Sequence, residues 1–260
     1  MTDGETLRLG IDLGTSAVKA VVIDADGAVV ATGEAAFATR TDLPGQAEQA
    51  PRDWLLAVAE AVASLGNRRR RVAGIGLAGQ LPTLVCLGER EPLGPAIAWS
   101  DSRADAWAAG ALDERRRDEL YRRTGMPIDG RYLAPMFHFH WRTRCAAVRR
   151  ILSAKDYLCY ALTGRAVTDP STAAGYGVHS LDGGWDPDLA AFWELDPSLL
   201  PALLPAESSA GGLTVEAARL LDLTRVCPLP SAPPIPWPVR SPWPGSRKAS
   251  SAWSWARVPS

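Results

Sequence analysis

The sequence predicts an α/β domain that opens with three consecutive antiparallel strands. Short apolar runs at 7–13, 17–24 and 28–39 are separated only by tight polar turns, which favours a strand meander. A helix with apolar residues at helical spacing follows from Pro51, and an apolar strand follows at 72–78. This βββαβ order differs from the alternating βα pattern of a doubly wound nucleotide-binding fold.

The first elements carry clear boundary residues. Asp26-Gly27 is a hairpin turn of the type that needs a positive φ. Pro51 suits the first position of a helix, and the basic run at 67–71 ends that helix. Such a run is typical of a solvated loop rather than of an anion site. A further strand is expected at 84–87, with a turn near Gly88.

The second half of the chain is expected to be mostly helical. Apolar spacing and breaker residues predict helices at 101–112, 114–124, 135–141, 154–162, 186–193 and 215–221. Gly125 and Gly164 end two of these helices, and Thr214 caps the last one. Residues 176–180 and the turn Asp182-Gly183-Gly184 suggest a small strand pair.

The composition argues against several classes of protein. The chain has 260 residues, 47% of them hydrophobic, and its net charge of -1 gives no electrostatic basis for binding nucleic acid or a membrane surface. The four cysteines lack a C-x-x-C pair, which favours reduced thiols over a disulfide framework or metal site. No leader-like segment or apolar run of roughly 20 residues is present. We expect a soluble, cytoplasmic protein, and no pattern specifies its oligomeric state.

The composition changes abruptly near Arg225. Residues 225–260 contain nine Pro, seven Ser and four Trp, with five Lys or Arg and no Asp or Glu. One interpretation is a disordered Pro-rich tail. The other is a frame-shifted translation of a GC-rich gene, which the four tryptophans and the loss of acidic residues favour. We therefore expect a folded body at 1–224 and a separate tail at 225–260.

A candidate phosphate site lies at the end of the first predicted strand. Gly14 lets the backbone approach an anion, and the N–H groups and hydroxyls of Thr15 and Ser16 can point at phosphate oxygens. Asp12 is placed to hold Mg²⁺ against the β- and γ-phosphates of ATP, and Lys19 is assigned to the same cofactor site. The alternative is an ordinary hairpin with a polar turn, since the string is not a Walker A loop.

Six islands in order along the chain resemble the FGGY carbohydrate kinases, and within that family they look most similar to the xylulokinases. They are Gly-Ile-Asp-Leu-Gly-Thr-Ser at 10–16, Glu-Gln-Ala-Pro-Arg-Asp-Trp at 48–54, Ile-Gly-Leu-Ala-Gly-Gln at 75–80, Pro-Ala-Ile-Ala-Trp-Ser-Asp-Ser-Arg at 95–103, Lys-Asp-Tyr-Leu with Leu-Thr-Gly at 155–164, and Thr-Asp-Pro-Ser-Thr-Ala-Ala-Gly at 168–175. Each island is weak alone, but their order makes the set specific.

The resemblance implies an actin/hexokinase-like ATPase (ribonuclease H-like) fold, with this chain as the first of the two domains of a sugar kinase. It implies ATP-dependent phosphorylation of a small-molecule sugar, a pentulose or a related polyol or ketose. In that family the second domain holds adenine, and an aspartate in a "G-x-x-D" segment is the general base. The corresponding stretch here, 228–238, has neither Gly nor Asp. We expect a truncated half that lacks the base and is inactive alone.

The resemblance also marks substrate residues. Gln80 is followed by Leu81-Pro82-Thr83 where xylulokinases have Met-His-Gly, which removes a histidine that reaches the sugar. Gln80 and Leu81 are nevertheless assigned to the substrate site. Asp101 and Arg103 join them as groups that could bind sugar hydroxyls. For this last pair a helix N-terminal carboxylate with an exposed arginine is an equal alternative.

Other polar residues are expected to be structural. His138 and His140, beside Trp141, are predicted to pack rather than to act in chemistry, and Asp169 is predicted to form a turn near the cleft. Two functional alternatives to a kinase half remain. One is a non-catalytic module that binds phosphate or sugar, and the other is a gene fragment without function.

Overall fold

The computed structural model describes residues 6–223. The expectations for the tail at 225–260, for the stretch 228–238 and for Cys227 therefore lie outside the described residues. Within them the strands are β1 (Leu7–Leu13), β2 (Ala17–Ile23), β3 (Val29–Ala36), β4 (Glu48–Gln49), β5 (Val72–Gly79), β6 (Val85–Leu87), β7 (Ala96–Ile97), β8 (Arg150–Leu152), β9 (Val167–Thr168), β10 (His179–Ser180), β11 (Gly184–Trp185) and β12 (Ala202–Leu203).

The helices of the same region include four that exceed two turns. They are α1 (Pro51–Ala63), α2 (Asp105–Ala111), α3 (Glu114–Thr124), α4 (Leu133–Trp141), α5 (Ala154–Thr163), α6 (Pro170–Ala173), α7 (Pro187–Phe192) and α8 (Val215–Leu221). Short 3₁₀ turns lie at Gly66–Arg71, Arg142–Ala147, Ala174–Tyr176 and Pro197–Leu199. In the part of the chain that the structure describes, no helix is long and apolar enough to cross a bilayer.

The central sheet has the strand order β3-β2-β1-β5. The pairs β1–β2 and β2–β3 are antiparallel, so the predicted meander is confirmed, and β5 joins β1 in parallel. Alternation along β1 buries Leu9, Ile11 and Leu13 on one face and leaves Asp12 exposed on the other. The predicted turn at Gly27 has a φ of 82°, which glycine adopts without strain.

The first hydrophobic core lies between the sheet and α1, α5 and α8. Trp54 is fully buried at its centre, with its ring edge-on to Phe37 and Tyr157. Close packing of β3 on α1 depends on Gly33, since a Cβ there would lie 2.1 Å from the carbonyl oxygen of Ala61. The predicted helix at Pro51 is confirmed, with that proline at its start.

The second core is built from α3, α4, α7 and the segments between them. The β6–β8 ribbon separates the two cores and contributes to both. Val85, Leu87 and Leu152 belong to the first core. Cys86 and Ile151, which alternate with them along the strands, belong to the second. Because this ribbon has apolar residues on both faces, one face packs in the first core and the other packs in the second.

Several helix boundaries follow the predicted chemistry. α3 and α5 end at Gly125 and Gly164, both in the left-handed conformation, and Thr214 caps α8 by accepting a hydrogen bond from the Ala217 N–H. The helix predicted at 101–112 is shorter than expected. α2 begins only at Asp105, because the preceding residues form a turn around a buried carboxylate described below.

Candidate functional site

The predicted phosphate turn joins β1 to β2. It is closed by a hydrogen bond of 3.0 Å from the Gly14 N–H to the carbonyl of Ala17. In the register of the two strands Asp12 lies directly opposite Lys19, and both side chains are exposed on the same face of the sheet. Glu34 of β3 is the next residue in that row. The structure therefore brings Asp12 and Lys19 together beside the turn.

The turn is anchored through its oxygen atoms. The Gln49 side-chain amide donates to the Thr15 carbonyl at 2.8 Å, and the Trp99 indole N–H donates to the Thr15 Oγ1 at 3.2 Å. The Phe37 N–H donates to the Ser16 carbonyl at 3.0 Å. The backbone N–H groups of Thr15 and Ser16 have no partner among residues 6–223. The turn thus keeps two amide donors for an anion.

A buried pair of glutamines ties this turn to the end of β5. The Gln80 backbone N–H donates to the Leu13 carbonyl at 2.8 Å. The side-chain Nε2 of Gln80 donates to the Gln49 Oε1 at 2.7 Å. The Gln49 Oε1 also accepts from the Trp54 indole N–H at 3.1 Å. Gln80 Oε1 is buried with no partner in the described residues. Sequence reasoning missed Gln49, although it lies within the island at 48–54.

Leu81 lies at the mouth of this region, with 37% of its surface exposed. A Cβ at Gly175 would sit 3.7 Å from the Leu81 Cδ2 and 3.6 Å from the Pro82 Cβ. The island at 168–175 therefore lies next to the loop that follows Gln80. The loop presents an apolar side chain at the surface, and Thr83 behind it is fully buried.

Asp101 and Arg103 form an internal ion pair. This differs from the alternative of a carboxylate at a helix N-terminus with an exposed arginine. Asp101 is 1% exposed, and its carboxylate accepts from the Ala47 N–H at 2.8 Å and from the Arg103 guanidinium at 2.7 Å. Arg103 is only partly exposed and also donates to Glu48 at 2.8 Å. Burial alone would lower the pKa of Arg103, but its bonds to the two carboxylates raise it above the ordinary value.

His140 lies against this ion pair. Its Nε2 is 3.8 Å from the Asp101 Oδ1 and makes no hydrogen bond within the described region. Burial, assisted by the positive charge of Arg103, lowers the pKa of His140 to about 4, so the ring is neutral at pH 7. A cavity of about 230 Å³ opens beside it, lined partly by Glu48 and Arg144.

His138 packs as predicted. Its ring stacks on Trp107 with centroids 4.5 Å apart, and its Nδ1 lies 3.1 Å from the carbonyl oxygen of Trp193. These contacts place it in the second core rather than beside the phosphate turn.

Lys155 connects two of the sequence islands. Its Nζ lies 2.8 Å from the Asp156 Oδ1 and 3.0 Å from the Asp169 Oδ2. The Tyr176 hydroxyl donates to the other Asp156 oxygen at 2.7 Å. Asp169 also caps α6 through the N–H groups that follow it, so its contacts are those of the structural turn that the sequence predicts. A Cβ at Gly79 would lie 3.2 Å from the Lys155 Cβ, which places this network next to the end of β5.

The profile of the "FGGY family of carbohydrate kinases, N-terminal domain" matches residues 7–232. The chain belongs to the FGGY family of carbohydrate kinases. Its matched region covers the phosphate turn, the glutamine pair, the Asp101–Arg103 pair and the Lys155 network. The resemblance inferred from the six islands is thereby confirmed.

Individual relatives of the chain agree with this assignment. The xylulose kinase of Staphylococcus xylosus is 28% identical over 222 residues, which cover 83% of this chain and 46% of the relative. The gluconokinase of Bacillus subtilis (strain 168) is 29% identical over 206 residues, covering 76% of this chain and 40% of the relative. The chain thus spans less than half the length of either relative.

A solved kinase structure shows the same architecture. The crystal structure of gluconate kinase from Lactobacillus acidophilus matches with a TM-score of 0.80 at 26% sequence identity, covering 86% of this chain and 48% of that one. The predicted actin/hexokinase-like ATPase fold is confirmed by this likeness. The three opening strands, with the turn predicted to bind phosphate, are therefore part of an FGGY domain.

Proposed function

We propose that this chain provides the phosphate-binding half, and part of the sugar pocket, of an ATP-dependent carbohydrate kinase. The observation that carries the proposal is the turn between β1 and β2. Its carbonyl oxygens are held by Gln49 and Phe37, while the N–H groups of Thr15 and Ser16 remain available to an anion. Fixed donors of this kind stabilise phosphate charge without having to reorganise.

The residues of the turn fit Mg²⁺ bound to a nucleotide. Asp12 is exposed and has no hydrogen bond or ion pair in the described part of the chain, so its carboxylate is free to hold the ion. Mg²⁺ commonly takes one or two protein carboxylates together with phosphate oxygens and water. Mg-ATP would supply the phosphoryl group, and Lys19 would add positive charge beside the same phosphates. Thr15 and Ser16 would orient them.

The acceptor in this proposal is a pentulose or a related polyol or ketose. Gln80 and Leu81 follow β5 next to the phosphate turn, which supports their assignment to the sugar side of the cleft. Asp101 and Arg103 are already engaged with the protein. We therefore propose that they support the segment carrying Trp99 rather than bind sugar hydroxyls themselves.

We further propose that residues 1–260 do not complete the reaction on their own. The stretch 228–238, where the family resemblance places the general base, contains no aspartate. Loss of a general base alone lowers rates by about 10²–10⁴-fold. The alternative of a binding module without catalysis draws support from the same stretch and from Leu81-Pro82-Thr83 in place of Met-His-Gly.

An NMR titration with Mg²⁺ and pyrophosphate tests the phosphate site. We expect shifts centred on residues 12–19, with an affinity in the millimolar range or weaker, equivalent to about -4 kcal/mol. Asp12→Ala should largely abolish these shifts, because it removes the carboxylate for the ion. Asp26→Ala is the matched control, since that exposed carboxylate lies at the opposite end of β2.

The same protein samples are also assayed for kinase activity. We expect no sugar-dependent ADP formation from ATP with xylulose, gluconate or glycerol at an ordinary kinase rate, on the order of 1–100 s⁻¹. Turnover at that rate would contradict the proposed inactivity while supporting the kinase. Shifts centred away from the turn, or unchanged in Asp12→Ala, would show that the turn is only a hairpin.

A further inference from the structure

Thr15 is held by two side chains that can only donate to it. The Trp99 indole nitrogen carries a hydrogen and no lone pair for accepting, so at 3.2 Å it must donate to the Thr15 Oγ1. That bond occupies an acceptor position of the hydroxyl and leaves its own hydrogen free. The Thr15 hydroxyl therefore still has a donor to offer.

The orientation of the Gln49 amide is fixed by the same reasoning. The indole of Trp54 can only donate, so the Gln49 atom 3.1 Å from it is the oxygen. The Gln49 nitrogen must then face Thr15 and Thr39, to which it donates at 2.8 Å each. The assignment does not depend on choosing between two amide flips, because the indole admits only one of them.

We propose that Trp99 and Gln49 are positioning residues that make Thr15 a hydrogen-bond donor toward phosphate. Trp99 fills one acceptor position of the hydroxyl oxygen, and Gln49 fills one acceptor position of the carbonyl oxygen. The groups of Thr15 that remain for a ligand are its N–H and its hydroxyl hydrogen, and both suit a phosphate oxygen. This inference rests on the proposed function, which supplies the phosphate.

The arrangement also connects distant parts of the sequence. Trp99 is itself 38% exposed, but it lies two residues before Asp101 of the buried Asp101–Arg103 pair. Trp54, which orients Gln49, is fully buried in the first core. Both positioning residues are therefore connected to buried parts of the fold, so the bonds that Thr15 accepts from them do not depend on a ligand.

A double-mutant cycle on Trp99 and Thr15 tests the inference, with Mg²⁺-pyrophosphate as the probe and NMR as the readout. We expect Trp99→Phe and Thr15→Val each to raise the Kd about 3- to 10-fold, the effect of one hydrogen bond. The double variant should bind no more weakly than Thr15→Val alone, because Trp99 acts through the Thr15 hydroxyl. Thr15→Ser, which keeps a hydroxyl, should retain the sensitivity to Trp99→Phe.

The matched control is Trp185→Phe, which removes an indole N–H bonded at 2.9 Å to the Pro201 carbonyl, away from the turn. It should leave the Kd unchanged. A second readout needs no ligand: the indole N–H resonance of Trp99 should shift between wild type and Thr15→Val, and an unmoved resonance would overturn the inference.

The possible failures are distinguishable. Additive effects of Trp99→Phe and Thr15→Val would overturn the positioning role while leaving the phosphate site intact. If wild type shows no binding at the turn, the proposed phosphate site fails, and the positioning role fails with it.

Discussion

At the residue scale, the fold changes the protonation of His140 through burial and the neighbouring Arg103. The pKa of His140 is about 4 in the folded chain, against an ordinary value of about 6.5. Asp101 and Glu48 oppose this shift, and Arg144 adds to it. Between these two pH values the unfolded chain binds more protons than the folded one, so the free energy of unfolding falls as the pH is lowered.

The consequence is a measurable acid sensitivity. The contribution of His140 to stability is fully present above about pH 6.5 and is lost as the pH falls toward 4, with a total of roughly 2 kcal/mol by pH 4.5. Urea unfolding of wild type and His140→Gln at pH 7 and 4.5 measures it, and the variant should lose less stability between the two pH values. His179→Gln is the comparison, because burial lowers the pKa of His179 without a neighbouring arginine. Equal losses of stability in wild type and His140→Gln would show that protonation of His140 does not cause the acid sensitivity.

At the scale of elements, Lys155 joins α5 to α6 through a mostly buried network. Asp156 is fully buried, and Lys155 and Asp169 are largely buried. Burial alone would lower the pKa of Lys155, but the two carboxylates raise it above its ordinary value, so the amine stays charged. Removing one partner from such a network leaves an uncompensated buried charge.

Lys155→Met should therefore destabilise the protein by about 3–5 kcal/mol in urea unfolding. The matched control is Arg149→Met, whose bond of 2.8 Å to Glu89 lies between exposed side chains. That change should cost less than about 1 kcal/mol. Similar small losses in both variants would mean that the Lys155 network contributes no more than a surface ion pair.

At the scale of the whole molecule, the β6–β8 ribbon makes the two cores depend on each other. Ile151 is fully buried and belongs to the second core, while its neighbour Leu152 belongs to the first. A cavity at Ile151 removes packing from the β6–β8 ribbon, which contributes residues to both cores. We therefore expect the described region to lose both cores together rather than one after the other.

Ile151→Ala should cost about 2–5 kcal/mol, and hydrogen exchange should show it in both cores. Peptides from β1 of the first core and from α4 of the second should lose protection to the same extent. Leu56→Ala, at an exposed position of α1, is the control and should change little. Loss of protection confined to α4 would show that the cores unfold independently.

The sequence by itself determined the opening meander, the helix at Pro51 and the family. Strand runs joined by tight turns, a proline at a helix start and glycines at helix ends act over a few residues, so local patterns specify them. The six islands then identified the FGGY family, which the family match over residues 7–232 confirms, and the phosphate site at Asp12 stays a prediction of that resemblance. These features depend on residues that are neighbours in the chain.

Only the tertiary structure decided how the other site residues are used. The partners of Asp101 come from Ala47 and, through Arg103, from Glu48, more than fifty residues earlier in the chain. Gln49 acquires its role only when Thr15 folds against it. Two-residue strands such as β9 and β12 are too short to show a period, and they pair across more than thirty residues. Burial and long-range hydrogen bonds depend on which distant segments pack together. Local periodicity gives no information about that packing.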